Sequence, residues 1–362
     1  MSPRYARVDV AHARRLCEGL LRAAGVEGIV ATTIADVQIA ADERGMHSHG
    51  LRALPTYLDR IRRGIINPRP RVRIERTAPF ASVVHGDDGP GQYVATLATR
   101  ECLAHAAACG IGFVVARRSN HLGAVGHYAR FIADAGYVAF ATTNGNVMLA
   151  HPGTVTPFVG NNPLAWAFPS RDEPPLTVDF ATSVVAGGRV DLAVAEGESI
   201  PEGWALDGSG RPTTDARAAA ESGLALPLGA PAAPHKGIGL ALALEALAGV
   251  LSGARFGRQH AVEVERGERP WDEGHVFLAI DPATVMPRTD FLARMDALVV
   301  DVRAADPSGA SRVPGEGAER QRREARARGL RLPVSVFESL NRAAVAAGLP
   351  DSLRLGSVDQ GP

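Results

Sequence analysis

The chain has 362 residues, enough for two domains at roughly 150 residues each or for one large core with an added lobe. Lysine plus arginine equals aspartate plus glutamate at 39 each, so no positive excess draws the chain to nucleic acid or to an acidic membrane. Cys17, Cys102 and Cys109 form no C-x-x-C pair and exclude a disulfide framework, and no apolar run reaches the ~18 residues of a membrane span, so a protein of the reducing cytoplasm is expected, neither exported nor membrane-spanning.

Ala13, Leu16, Cys17, Leu20, Leu21 and Ala24 recur at helical spacing and are closed by Gly25. A second helix is predicted from about Thr33 through Ile34, Val37 and Ala41, and a third over Leu54, Tyr57, Leu58 and Ile61, ended by Gly64 and Pro68. Residues 1–75 therefore read as a helical lobe. Between its second and third helices stands His47-Ser48-His49-Gly50-Leu51-Arg52. Imidazole donates and accepts protons near neutral pH, and an arginine holds a carboxylate through two parallel hydrogen bonds, so small oxo or hydroxy acids are the ligands to consider. A histidine at a helix end is more often a cap or surface residue, and this cluster alone does not decide.

From residue 76 the pattern changes. A strand at 81–84, a turn at 87–91, a helix through Val94, Leu97, Ala98 and Cys102, a strand at 111–116, a helix through Val125, Tyr128, Ala129 and Ile132, and a strand at 137–142 imply a sheet covered by helices, an α/β fold. Arg117-Arg118-Ser119-Asn120-His121-Leu122-Gly123 follows the 111–116 strand, where such sheets bind ligands. A structural role for His121 stays open, although Asn120 and Gly123 favour function; His127, inside a helix, reads as structural. Residues 150–235, rich in proline and glycine, read as functional loops carrying strands at 164–168 and 176–180. Asp179-Phe180-Ala181-Thr182-Ser183 offers hydroxyls and amides suited to a dinucleotide, or a helix N-cap at Thr182 or Ser183. His235-Lys236-Gly237 opens the strongest apolar stripe, Leu240 through Leu251, read as a buried crossover helix; it suits an anion, with a solvated loop as the alternative. Strands are expected at 276–280 and 297–302. Pro314-Gly315-Glu316 sets a carboxylate in a turn, and a helical tail over 319–347 breaks at Pro333, its arginines 320, 322, 323, 326 and 328 forming a solvated face. A phosphate-binding G-x-x-x-x-G-K-[ST], a Rossmann glycine fingerprint, an H-E-x-x-H and a G-x-S-x-G elbow are all missing from the sequence. The residues alone point to histidine acid-base chemistry on a small anion.

Seven motifs in order, Ser48-His49-Gly50, Gly64-Ile65-Ile66-Asn67-Pro68, Ser119 through Gly123, Gly160-Asn161-Asn162-Pro163-Leu164, Asp179 through Ser183, His235-Lys236-Gly237 and Pro314-Gly315-Glu316, together resemble the malate/L-lactate dehydrogenase family, which includes ureidoglycolate, sulfolactate and diketogulonate dehydrogenases. The resemblance implies a non-Rossmann mixed sheet covered by helices, with a helical lobe from both chain ends: a cofactor-binding α/β domain over 76–305 and a C-terminal segment, 306–362, packed on the 1–75 lobe. It implies a homodimer with the active site near the interface, a small-molecule substrate, and hydride transfer between NAD or NADP and the 2-carbon of a 2-oxo or 2-hydroxy acid. By the same resemblance His49 is a proton donor and His121 an acid-base residue, with Ser48 orienting His49. Cofactor contacts are implied for Asn161, Asn162, Val178, Asp179, Phe180, Ala181, Thr182, Ser183, Val184, His235, Lys236, Gly315 and Glu316, and substrate contacts for Arg52 and Asn146. The family's carboxylate-binding arginine falls at Ala53 here, one residue after Arg52, and Arg189 replaces a frequent lysine. Alternatives are a cyclic imino acid reductase, a metal-dependent hydrolase or lyase using His47, His49 and His121, and a non-catalytic relative.

Overall fold

The computed structural model describes residues 5–356 apart from 152, 261–269, 307 and 309–312. Its helices are α1 (Val10–Ala23), α2 (Gly28–Glu43), α3 (Leu54–Arg62), α4 (Gly91–Cys109), α5 (Val125–Asp134), α6 (Gly187–Glu196), α7 (Ala216–Ser222), α8 (Pro234–Glu245), α9 (Arg288–Ala304), α10 (Glu316–Arg328) and α11 (Val334–Ala346). The strands are β1 (Tyr5–Val8), β2 (Arg73–Ala78), β3 (Ala81–His85), β4 (Ile111–Ser119), β5 (Val138–Thr143), β6 (Val147–Leu149), β7 (Val159–Gly160), β8 (Leu164–Phe168), β9 (Leu176–Phe180), β10 (Ala205–Leu206), β11 (Pro212–Thr213), β12 (Leu224–Ala225), β13 (Glu273–Ile280) and β14 (Leu330–Pro333).

Asp9 starts α1 by accepting the His12 N–H at 2.7 Å, and Gly25, at φ +85°, ends the segment in a conformation side chains resist. The apolar stripes of α1, α2 and α3 close on one core, where Leu16, Leu20, Leu21, Ile34, Leu51 and Leu54 meet Leu330, Leu332, Val336 and Leu340 from the far end of the chain. β1 and β14 pair antiparallel there, from Tyr5 opposite Pro333 to Val8 opposite Leu330. Two features depart from the sequence reading at this joint. The break at Pro333 is a whole strand, because β1 offers it a partner. The arginines of α10 are only partly a solvated face, since Arg322 and Arg326 pair with Glu43 of α2, and Arg130 of α5 binds Glu319 at 3.2 Å.

The main sheet runs β2-β3-β4-β13-β5-β8-β9; β3 and β4 are parallel and every other neighbouring pair is antiparallel. α4 and α5 cover one face with Val94, Ala98, Cys102, Ala129 and Ile132. α8 and the π-helical turn Ala246–Leu251 cover the other with Leu244 and Ala248. The predicted crossover helix is thus only half covered, with Leu242, Val250 and Leu251 about half exposed. The expected strand at 297–302 is part of α9. Short apolar runs do not distinguish strand from helix, and the sheet position beside β13 is already held by β4 and β5. The loop-rich stretch, together with β6 just before it, forms a second sheet, β11-β10-β12-β6-β7, beside α6 and α7, built from strands of two or three residues too short to show a period. Thr182 and Ser183 do not cap a helix, because α6 begins later, at Gly187.

Candidate active site

α2 ends at Glu43, and the chain then makes two one-turn 3-10 segments, His47–His49 and Leu51–Ala53. Asp42, nearly fully buried, holds this loop. Its carboxylate accepts the Leu51 N–H at 2.7 Å, lies 2.8 Å from His47 Nδ1, and presses so closely on Gly50 that a Cβ there has no room. Burial raises the Asp42 pKa, with the His47 and Leu51 hydrogen bonds working against it. His47 is therefore tied to Asp42 rather than free for ligation.

The loop delivers His49, whose Nδ1 is 2.9 Å from Ser48 Oγ. β4 runs to Ser119 and delivers His121, and the two imidazoles stack with centroids 5.6 Å apart and planes 19° from parallel. His121 Nδ1 accepts the Gly123 N–H at 3.3 Å and lies 2.6 Å from the Tyr57 hydroxyl. A backbone amide can only donate, so Nδ1 is the acceptor and the neutral ring carries its proton on Nε2. Burial, with the neighbouring His49 ring and the Arg60 guanidinium adding to it, pushes His121 down to about 3, and burial also lowers His49. Both rings are neutral at pH 7.

Asn120 fixes the backbone before His121 by donating to the Asp88 and Gly89 carbonyls at 2.8 and 3.0 Å. Arg52 is exposed and makes no ion pair or hydrogen bond with a described residue; its guanidinium is 3.9 Å from where a Cβ on Gly188 would stand, as is Ser48 Cβ. The start of α6 thus lies over the Ser48–Arg52 loop, with Met148 of β6 reaching Gly187 and Asn146 half-buried just before β6.

The segments expected to contact a cofactor fall into three groups. In the first, the Asn161 carbonyl accepts the Thr182 N–H at 2.8 Å, the Thr182 carbonyl accepts the Leu228 N–H at 2.7 Å, Ser183 bridges to Pro227, and Val184 donates to Leu226 at 2.9 Å. Gly237 abuts Leu228, which draws the first turn of α8, with exposed His235 and Lys236, to the same place. In the second, Val178 pairs with Trp166 across β8 and β9, Asp179 accepts the Gly126 N–H at 3.2 Å, Phe180 is exposed and Ala181 half-buried. In the third, Gly315 packs on Thr177, and the Glu316 carboxylate is taken by the Arg303 guanidinium, 2.6 Å from Arg303 Nε. Asn162 is also committed elsewhere, its amide donating to the Ala241 carbonyl and Glu245 of α8.

Asp42 and Tyr57 escaped the sequence reading because both sit in helical periods, where they pass for helix residues. The available signals were an acid five residues before His47 and a hydroxyl on an otherwise apolar stripe. Among the described residues no group of three or more His, Cys, Asp or Glu side chains is placed to hold a metal ion.

A family model described as malate/L-lactate dehydrogenase matches residues 8–341. Malate dehydrogenase of Pyrococcus horikoshii is 34% identical over 78% of both chains, ureidoglycolate dehydrogenase (NAD(+)) of Escherichia coli 31% identical over 90% of this chain and 92% of that one, and (2R)-3-sulfolactate dehydrogenase (NADP(+)) of Chromohalobacter salexigens 36% identical over 94% and 98%. The solved Pyrococcus horikoshii enzyme superposes with a TM-score of 0.86 at 30% identity, covering 96% of this chain and 97% of its own. Delta1-piperideine-2-carboxylate reductase of Pseudomonas syringae does so at 0.85 and 27% identity, covering 93% and 99%.

Proposed function

The chain belongs to the malate/L-lactate dehydrogenase family, and from that premise we propose that it transfers hydride between NAD or NADP and the 2-carbon of a small 2-oxo or 2-hydroxy acid. The observation that carries this reading is the stacked His49–His121 pair with the unpaired Arg52 guanidinium on the same loop as His49.

The residues fit a dinucleotide. The Thr182 hydroxyl is buried without a partner among the described residues, and Lys236 stands at the N-terminus of α8 drawn up beside that segment. Donors of this kind are satisfied by ribose and phosphate oxygens. Thr182, Ser183, His235 and Lys236 would hold the cofactor, with Asn161, Val178 to Ala181, Val184 and Gly315 shaping its walls; Asn162 would act by bracing α8 and Glu316 by bracing its turn. When bound, the nicotinamide supplies the hydride.

The protein's part is acid-base chemistry and orientation. His121, with its proton on Nε2, donates to the substrate oxygen as charge builds there, a step that typically gives ~100- to 10,000-fold. His49, oriented by Ser48, supplies a second donor on the stacked face. Arg52 holds the substrate carboxylate, and Asn146 flanks it from the β6 side. The exposed apolar residues Leu242, Val250 and Leu251, along α8 and the π-helical turn after it, support a homodimer.

Mixing the protein with NADH or NADPH and a panel of small 2-oxo acids, and following the absorbance of the reduced cofactor, tests the reading. Oxidation with at least one acid is expected; no oxidation with any of them refutes it. The likeness to a piperideine-carboxylate reductase gives a second reading, reduction of a cyclic imino acid, and such a compound in the same panel distinguishes the two.

A further inference from the structure

Behind His121 the protein buries ionisable groups that the acid-base pair itself does not use. Four elements converge there. α3 brings Tyr57, 4% exposed, and one turn on Arg60, whose guanidinium carbon lies 3.9 Å from the centroid of the Trp271 ring. α4 brings Gln92, because its first residue, Gly91, is pressed against the Asn120 and His121 backbone. β4 ends at Ser119, two residues before His121, and directly across the ladder from Ser119 stands Glu273 of β13, 1% exposed.

Polar atoms here lack partners. Asn120 Oδ1, Trp271 Nε1 and Glu273 Oε2 are all buried without a hydrogen bond to any described residue, and the Gln92 amide lies against the Tyr57 hydroxyl. Buried polar groups are costly unless bonded, and a cluster of donors and acceptors around an acid, a phenol and an imidazole is the makeup of a proton-conducting chain. Burial pushes Glu273 up to about 8, with Arg60 opposing, so the carboxyl is a neutral acid at pH 7. Burial also raises Tyr57, to which Glu273 adds and against which Arg60 works, so Tyr57 holds its proton until another replaces it. The groups whose charge reaches Glu273 are Arg60 and Tyr57 from α3; the other ionisable groups of this region are Asp272 beside it in the chain, His121 after β4 and His275 two residues along β13, and burial holds both histidines neutral.

We propose that Glu273 stores the proton that Tyr57 passes to Nδ1 of His121 while His121 gives its Nε2 proton to the substrate oxygen. The proposal rests on the 2-oxo acid reductase reading. As hydride reaches the 2-carbon, the Nε2–H bond breaks and the new O–H bond of the hydroxy acid forms. At the other ring nitrogen an N–H bond forms as the Tyr57 O–H breaks; a bridging water, the usual partner of buried polar atoms left unbonded, gives a proton to Tyr57 and takes one from Glu273, so the Tyr57 O–H is restored, the water is unchanged and the Glu273 O–H breaks. Glu273 ends as a carboxylate facing the Arg60 guanidinium, and it is reprotonated before the next cycle by solvent. Glu273 and Tyr57 act through His121 and are positioning residues, not catalytic ones.

Glu273→Gln and Tyr57→Phe, made in the full chain and checked for an unchanged melting temperature, are compared with the unaltered protein in 2-oxo acid reduction. kcat falls ~10- to 100-fold in each with KM nearly constant. The loss of rate as pH rises through about 8 is absent from Glu273→Gln. A carbon-13 carboxyl titration of the glutamate-labelled protein reads the same group without turnover: one resonance titrates near pH 8 in the unaltered chain and is missing from Glu273→Gln. Full kcat and an unchanged alkaline limb in Glu273→Gln, or no such resonance, overturns the relay. An unaltered chain that oxidises neither cofactor with any 2-oxo acid instead overturns the parent reading, and the titration still decides whether Glu273 stores a proton.

Discussion

The ground around the two histidines and the ground before α8 are built differently. Asp42, Ser48, Asn120 and Tyr57 each hold a part of the proposed acid-base site at hydrogen-bond distance, and most of them are buried. Before α8 the chain is held by backbone bonds among Asn161, Thr182 and Leu228, while Lys236 and His235 stand exposed and the Thr182 hydroxyl has no partner among the described residues. Chemistry that must place a proton within tenths of an ångström needs rotamers locked before the ligand arrives. A surface that grips a long polar cofactor can leave its donors open to water until then.

That contrast predicts that the proposed acid-base side responds in rate and the proposed cofactor side in affinity. His121→Asn is the largest expected effect: kcat drops ~100- to 10,000-fold while reduced-cofactor binding, followed by nicotinamide fluorescence, stays within about twofold. Near-normal turnover would erase the distinction between the two regions. Asp42→Ala removes the acceptor for the buried Leu51 N–H and the anchor of His47, so urea unfolding should show a loss of about 1–3 kcal/mol, together with a slower enzyme as the His49 loop relaxes. Stability equal to that of the unaltered chain would mean that the loop is held by something other than Asp42. Lys236→Ala is the smallest: cofactor affinity weakens about tenfold, with no change in unfolding midpoint. A midpoint shift with unchanged affinity would make Lys236 a structural residue and the contrast false.

Much of the architecture was legible. Gly25, Gly64, Gly110 and Gly136 mark helix ends at positive φ, and the strands at 164–168 and 176–180 are present as read. Those segments carry their own period or their own stop signal. The errors fell where a local pattern admits two answers: 297–302 is helical because the sheet had no vacant neighbour for it, and the arginines of α10 are drawn into ion pairs by Glu43, distant in the chain. Within the site, the clusters at 47–52 and 117–123 were visible as unusual polar runs, whereas Asp42 and Glu273 were not, since an acid in a helix or at a strand start carries no local mark of being buried.

The order of residues by itself determined the helical lobe, the helix-covered sheet and the two histidine motifs, because periodicity and turn chemistry act over a few residues. The stacking of His49 on His121, the Tyr57 hydroxyl at Nδ1 and the burial of Glu273 were decided only by tertiary structure. Each depends on segments 60 to 220 residues apart meeting in one desolvated place, and desolvation sets which atom keeps a proton.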